Sequence, residues 1–219
     1  MLARYSEVFD CVEVDSTFYG IPKSETVQKW AETTPESFRF CPKVPKVITH
    51  EKRLVDCDAE WGRFLKVMEL LGDKLGPLVL QFGSEFQYEQ RDALKKFAEQ
   101  IPKSHRVAIE VRHQSWLKKP FLSWMRQQGF ALVLHDYHRM PRLTAVPADF
   151  VYMRLLGRRA DVPDDFSRVI IDRSSELKFW SKLLKQFQED QREIFAFSNN
   201  RFQGHAPATA HGLRDLLNA

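Results

Sequence analysis

The regular alternation of short apolar runs with segments of helical period constrains this chain more than any other feature. Seven runs have strand character, at residues 11–18, 38–43, 78–82, 107–112, 131–135, 151–156 and 194–198. Helices are predicted over 24–33, 59–71, 88–100, 120–128, 175–190 and 208–217. In the second of these, Trp61, Phe64, Leu65, Met68 and Leu71 share one face while Arg63, Lys66 and Glu69 fall elsewhere, the period of an amphipathic helix. Strand, helix, strand in repetition means parallel pairing with helical crossovers, so the class is α/β.

The chain has 219 residues, 43% of them hydrophobic, enough for one sizeable core, and a single domain over 1–219 is expected. No apolar run approaches the roughly 18 to 20 residues that a membrane span needs. The 33 basic against 29 acidic residues permit a polyanionic partner without requiring one. Cys11, Cys41 and Cys57 have neither zinc-type spacing nor disulfide density, and residues 1–14 lack the basic tip and apolar stretch of a signal peptide. A cytoplasmic protein is expected. The longest irregular stretches are 42–53, 138–148 and 157–173, and the last reads as a solvated excursion or a lid.

Strands covered on both faces should be almost continuously apolar. These are not. Splitting each run by its period of two sets Val12 and Val14 against Glu13 and Asp15, and Ile109 and Val111 against Glu110 and Arg112. Lys43, Gln81 and Arg154 fall on polar faces in the same way, His135 ends the fifth run and Asn199 follows the seventh. A parallel β/α barrel of the TIM type gathers such residues into a ring at the C-terminal mouth of its strands, and that ring is the candidate site. The alternative is a self-satisfied ionic network filling the barrel, because buried charge is costly unless paired.

Within the ring, Glu110, Asp15 and Glu13 are the candidate catalytic carboxylates. Lys43, Gln81, Arg112, His135, Arg154, Asn199, Asn200 and Trp116 are the candidate substrate-binding residues. A carboxylate beside a guanidinium makes a good orienter and a poor general base at neutral pH, so Arg112 is expected to bind an anionic group while Glu110 either holds it or accepts a proton. Lys43 and Arg154 add positive charge suited to a phosphate or oxyanion. Asn199 and Asn200, followed by Gly204 and a helix start, suit a phosphate cradle of free backbone N–H groups, or else a strand end closed by side-chain turns. Trp116, Phe18, Tyr19 and Tyr137 lie just past strand ends, where a sugar or base could stack. His135 with Asp136 or His50 offers donors for a divalent metal, but no HxH or HxxE-type word accompanies them and no metal ligand is assigned. Trp30, Trp61, Trp124 and Trp180 fit core-facing helix positions, and Cys11 and Cys41 fit buried small apolar sites.

The words VEVDSTFYGIP (12–22), FRFCPKVPKVITH (38–50), LGDKLGPLVLQF (71–82), IEVRHQSW (109–116), YMRLLG (152–157) and FSNNRFQGHAPATA (197–210) resemble, in order and spacing, the YecE-like family, domain of unknown function 72. The resemblance implies a TIM-like barrel and leaves the activity unsettled. That family normally opens with a glycine- and tryptophan-rich strand of the form G-T-S-G-W. Residues 1–9 here read instead as the tail of a first helix, so seven of eight barrel strands are expected, with open edges through which chains could associate. The resulting expectation is a phosphate-bearing or other anionic ligand at the barrel mouth, with acid/base hydrolysis or isomerisation as the chemistry. The alternative is a noncatalytic protein that binds a small anion or nucleic acid.

Overall fold

The computed structural model describes residues 1–219. The chain forms two compact units, Met1–Lys118 and Lys119–Ala219.

In the first unit, four parallel strands follow one another in chain order: β1 (Cys11–Val14), β2 (Arg39–Pro42), β3 (Leu78–Gln81) and β4 (Val107–Glu110). Glu13 lies opposite Cys41 in the first pair, and Gln81 opposite Glu110 in the last. Isolated bridges from Phe40 to Leu75 and from Lys43 to Val79 join β2 to β3. Five helices accompany them: α1 (Leu2–Ser6), α2 (Ser16–Tyr19), α3 (Ser24–Thr33), α4 (Asp58–Met68) and α5 (Arg91–Ala98). β3 and β4 are buried at every position, as strands covered on both faces should be.

Trp61, Phe64, Leu65 and Met68 of α4 are buried, as their spacing predicts. α3 ends where the buried ammonium of Lys74 donates to the carbonyls of Ala31 and Thr34 at 2.6 and 2.7 Å. A cation at a helix C-terminus satisfies carbonyls left without partners and complements the dipole. Gly76 permits the close approach that leads into β3: a Cβ there would stand 2.9 Å from Cys41 Sγ and 3.1 Å from the Phe40 carbonyl.

The second unit holds α6 (Lys119–Gln128), β5 (Ala131–Leu132), β6 (Leu134–His135), β7 (Phe150–Leu155), α7 (Ser174–Glu189), β8 (Glu193–Ser198) and α8 (Ala206–Asn218). β6, β7 and β8 pair in parallel, with His135 opposite Arg154 and Leu155 opposite Ser198. Val151, Met153 and Leu155 pack with Trp180, Leu184 and Leu213 in this unit's core.

The α/β class with parallel sheets is as the sequence predicts, and one local expectation is corrected. The first predicted strand, 11–18, stops at Val14, because α2 begins at Ser16. Thr17 fixes that break: its buried Oγ1 lies 2.7 Å from the carbonyls of both Val14 and Lys43, and its single proton serves one at a time. The segment 157–173 is largely exposed, as expected of a solvated stretch, and it is tied to the residues after β8. Arg201 pairs with Asp164, donates to the Val162 carbonyl and lies 4.7 Å from the Phe166 ring, and Ile170 N donates to the Gln203 carbonyl at 2.7 Å. Gly157 has φ +64°, and a Cβ there would meet the Arg201 carbonyl oxygen at 2.0 Å. No helix is long and apolar enough to cross a membrane.

Candidate functional site

Parallel strands place all their C-terminal ends at one edge of a sheet, and in the first unit that edge is charged. Asp15 directly follows β1, Lys43 follows β2, Gln81 and Glu110 end β3 and β4, and Arg112 lies two residues further on. With strands spaced about 4.8 Å apart, the ends of β2 and β4 stand about 10 Å from each other. Glu13 is half-buried one position before the end of β1.

Two ion pairs organise this edge. Lys43 Nζ donates to Asp15 Oδ1 at 3.1 Å, with the lysine side chain 9% exposed and the aspartate 62%. The same ammonium lies 4.4 Å from the centroid of the Phe18 ring, a cation–π contact that helps hold it away from bulk water. Arg112 Nε donates to Oε1 of Glu110 at 2.7 Å. Glu110 is wholly buried and Arg112 is 26% exposed, so the carboxylate anchors a guanidinium that still reaches solvent. Gln81, buried at 6%, is the register partner of Glu110.

His50, which the sequence raised only as a possible metal donor, also belongs to this edge. It lies on a π-helical turn, Val47–Glu51, inside the stretch expected to be irregular. Its ring packs edge-on against Phe18 with centroids 5.0 Å apart, and Thr49 Oγ1 lies 2.9 Å from its Nδ1. Burial, chiefly, pushes its pKa below the ordinary 6.5, Glu85 and Glu110 oppose that shift, and Lys43 and Arg112 reinforce it. Phe18 thus touches both the His50 ring and the Lys43 ammonium, which sets His50 beside the end of β2. A histidine held neutral near pH 7 accepts a proton when a nearby negative charge arrives.

Trp116, expected to present a stacking face, is instead fully buried. Its indole N–H donates to the Phe86 carbonyl at 2.7 Å and its ring stacks on Phe86 at 5.5 Å. A ring with no exposed face packs and does not bind a base. Of the other aromatic residues past strand ends, Tyr19 is 75% exposed.

In the second unit, His135 and Arg154 are buried register partners at the end of β6 and within β7. The cradle of free N–H groups expected beyond β8 is occupied by the chain itself. Asn199 Oδ1 accepts from Arg201 N at 2.8 Å, Asn200 Oδ1 accepts from Ala206 N at 2.8 Å, and His205 Nδ1 accepts from Ala208 N at 3.3 Å. Pro207 has no N–H, His205 is the N-cap of α8, and the tandem asparagines close the turn that leads into it. No grouping of three or more His, Cys, Asp or Glu side chains is arranged to hold a metal ion.

A parallel α/β chain with paired charges at its strand ends is the class these features define. The chain belongs to the family described as protein of unknown function DUF72, whose model matches residues 1–219. Among curated relatives, UPF0759 protein YecE of Escherichia coli K12 is 36% identical over 118 residues, which cover 54% of this chain and 43% of YecE. The aligned segment thus spans less than half of that relative. UPF0759 protein YunF of Bacillus subtilis 168 is 26% identical over 99% of this chain and 86% of YunF. A crystal structure of a DUF72 family protein from Enterococcus faecalis V583 is similar over the whole chain and 94% of that protein, with a TM-score of 0.84 and 27% identity. One from Thermotoga maritima MSB8 covers 96% of this chain and 85% of its own, with a TM-score of 0.79 and 24% identity, a likeness of fold alone.

Proposed function

We propose that the strand-end edge of the first unit binds a phosphate-bearing or other oxyanionic ligand between Lys43 and Arg112. The observation that carries this reading is the unequal burial within each ion pair. The Lys43 side chain is nearly buried against an exposed carboxylate, while the partly exposed Arg112 side chain is held by a wholly buried one. Arg112 is therefore a preorganised donor at the surface, and Asp15 is a counter-ion that an incoming anion can displace from Lys43. Glu110 and Asp15 supply carboxylates for acid/base hydrolysis or isomerisation of such a ligand, with Glu13 and Gln81 alongside.

Two finer readings belong with this one. The succession of parallel strand–helix units supports a TIM-like β/α barrel with seven of eight strands, forming one domain. The low cysteine count fits a cytoplasmic setting. An open strand edge would let chains associate, which sedimentation at several concentrations tests.

A noncatalytic role is the second reading, favoured by the fact that both cations already hold carboxylates at hydrogen-bond distance. Calorimetric titration with inorganic phosphate and a panel of phosphate esters, sugar phosphates and abasic DNA, run with and without divalent metals, separates the two. Binding that Lys43→Met and Arg112→Met each weaken at least tenfold, with turnover lost in Glu110→Gln, supports the enzyme. Binding without turnover supports the noncatalytic protein, and absence of binding in the folded wild type rejects both.

A further inference from the structure

We propose that His50 is a third group of the Lys43–Arg112 site and that a dianion is taken up there together with one proton. This deepens the anion-binding reading and rests on it: the ligand class is a doubly charged oxyanion of the phosphate or sulfate kind.

The placement of His50 carries the argument. π-helical turns are rare and recur at functional sites, because the extra residue in the turn re-aims a side chain. Here the turn Val47–Glu51 follows β2 closely and sets the imidazole against Phe18, the ring that also receives the Lys43 ammonium. Thr49 Oγ1 lies 2.9 Å from Nδ1 and 3.3 Å from the Pro45 carbonyl. If its hydroxyl proton goes to that carbonyl, Thr49 receives the Nδ1 proton and Nε2 is left to exchange the other.

The charged groups acting on His50 come from three elements: Lys43 from the end of β2, Glu85 from the turn after β3, and Glu110 and Arg112 from the end of β4. In the ligand-free protein, burial and the two cations keep the ring neutral. A dianion seated between Lys43 and Arg112 offsets both cations and adds an attraction, so the imidazolium becomes the favoured form. The ring then takes one proton from solvent and donates a charge-assisted hydrogen bond. Linkage fixes the sign: if the ligand raises the affinity for a proton, the proton raises the affinity for the ligand, and binding strengthens as pH falls.

Sulfate is the probe, because it stays doubly charged throughout the range in which histidine titrates, so any pH dependence belongs to the protein. The full chain is titrated calorimetrically with sulfate between about pH 5.5 and 8, the span in which histidine changes charge, in pairs of buffers with different ionisation heats. The expected result is proton uptake per sulfate that approaches one between the pKa values of the free and the sulfate-bound protein and falls away above them, with affinity that rises up to about tenfold per pH unit on acidification. His50→Gln should bind sulfate more weakly, with no proton uptake and a flat profile. Sulfate binding by the wild type without proton uptake, or uptake that persists in His50→Gln, overturns the role of His50 and leaves the anion site standing. No sulfate binding by the folded wild type at any pH overturns the anion site itself. Should His50→Gln fail to fold, the wild-type proton count still decides: its absence overturns the proposal, and close to one proton supports it.

Discussion

Arg112 donates from Nε to Glu110 at 2.7 Å across a gradient of exposure, its side chain 26% exposed and that of Glu110 fully enclosed. The two ends of this bridge are therefore not equivalent. Arg112→Met takes the guanidinium away from a buried charge and is expected to cost about 3 kcal/mol. Glu110→Gln keeps an acceptor and leaves a cation that reaches water, for about 1 kcal/mol. Urea unfolding of both variants checks the order, and a larger loss in Glu110→Gln contradicts it.

The Lys43–Asp15 bridge predicts a gain. Asp15 is 62% exposed, so the bridge itself contributes under about 1 kcal/mol to stability. Its carboxylate nevertheless competes with any ligand for the ammonium. Asp15→Asn should leave the unfolding midpoint nearly unmoved and tighten sulfate binding by about 1 kcal/mol, roughly fivefold. Calorimetry on the single variant decides. An unchanged or weaker affinity would mean that no anion meets Lys43.

His50 makes the stability of the protein depend on pH. Its pKa lies below the ordinary 6.5 in the folded state, chiefly through burial. The unfolded chain therefore binds more protons in the window between the two values, and stability rises with pH there. It is fully present above the unfolded value near 6.5 and is lost progressively as pH falls through the folded one. Urea midpoints at a series of pH values should drop on acidification below about 6.5, and His50→Gln should flatten that part of the curve. A wild-type curve that rises there is the contrary outcome.

Asn200 contributes to the closure of β8 and the start of α8. Its side chain accepts from Ala206 N at 2.8 Å, so Asn200→Ala should cost about 1 kcal/mol, seen as a lower thermal midpoint.

Much of this was legible in the sequence. The strand and helix alternation carries the parallel pairing because period and crossover length are local properties. Glu110, Arg112, Lys43 and Gln81 announce themselves as polar residues closing apolar strands, and the structure sets them at one sheet edge. What the sequence hid arises from contacts that periodicity does not encode. His50 joins its neighbours through a single π-turn in a stretch with no regular pattern. Trp116 is buried because a backbone carbonyl 30 residues away receives its N–H. The asparagine turn could be read either as a cradle or as a cap, and only the positions of Ala206 N and Arg201 N settle which groups Asn199 and Asn200 serve.

The most direct test of the account is a crystal of the full chain soaked in selenate, with the anion located by its anomalous signal. Selenate is expected within hydrogen-bond distance of the Arg112 guanidinium and Lys43 Nζ, with Asp15 turned away from the ammonium. Selenate bound elsewhere while the Lys43–Asp15 and Arg112–Glu110 pairs stay intact would contradict it.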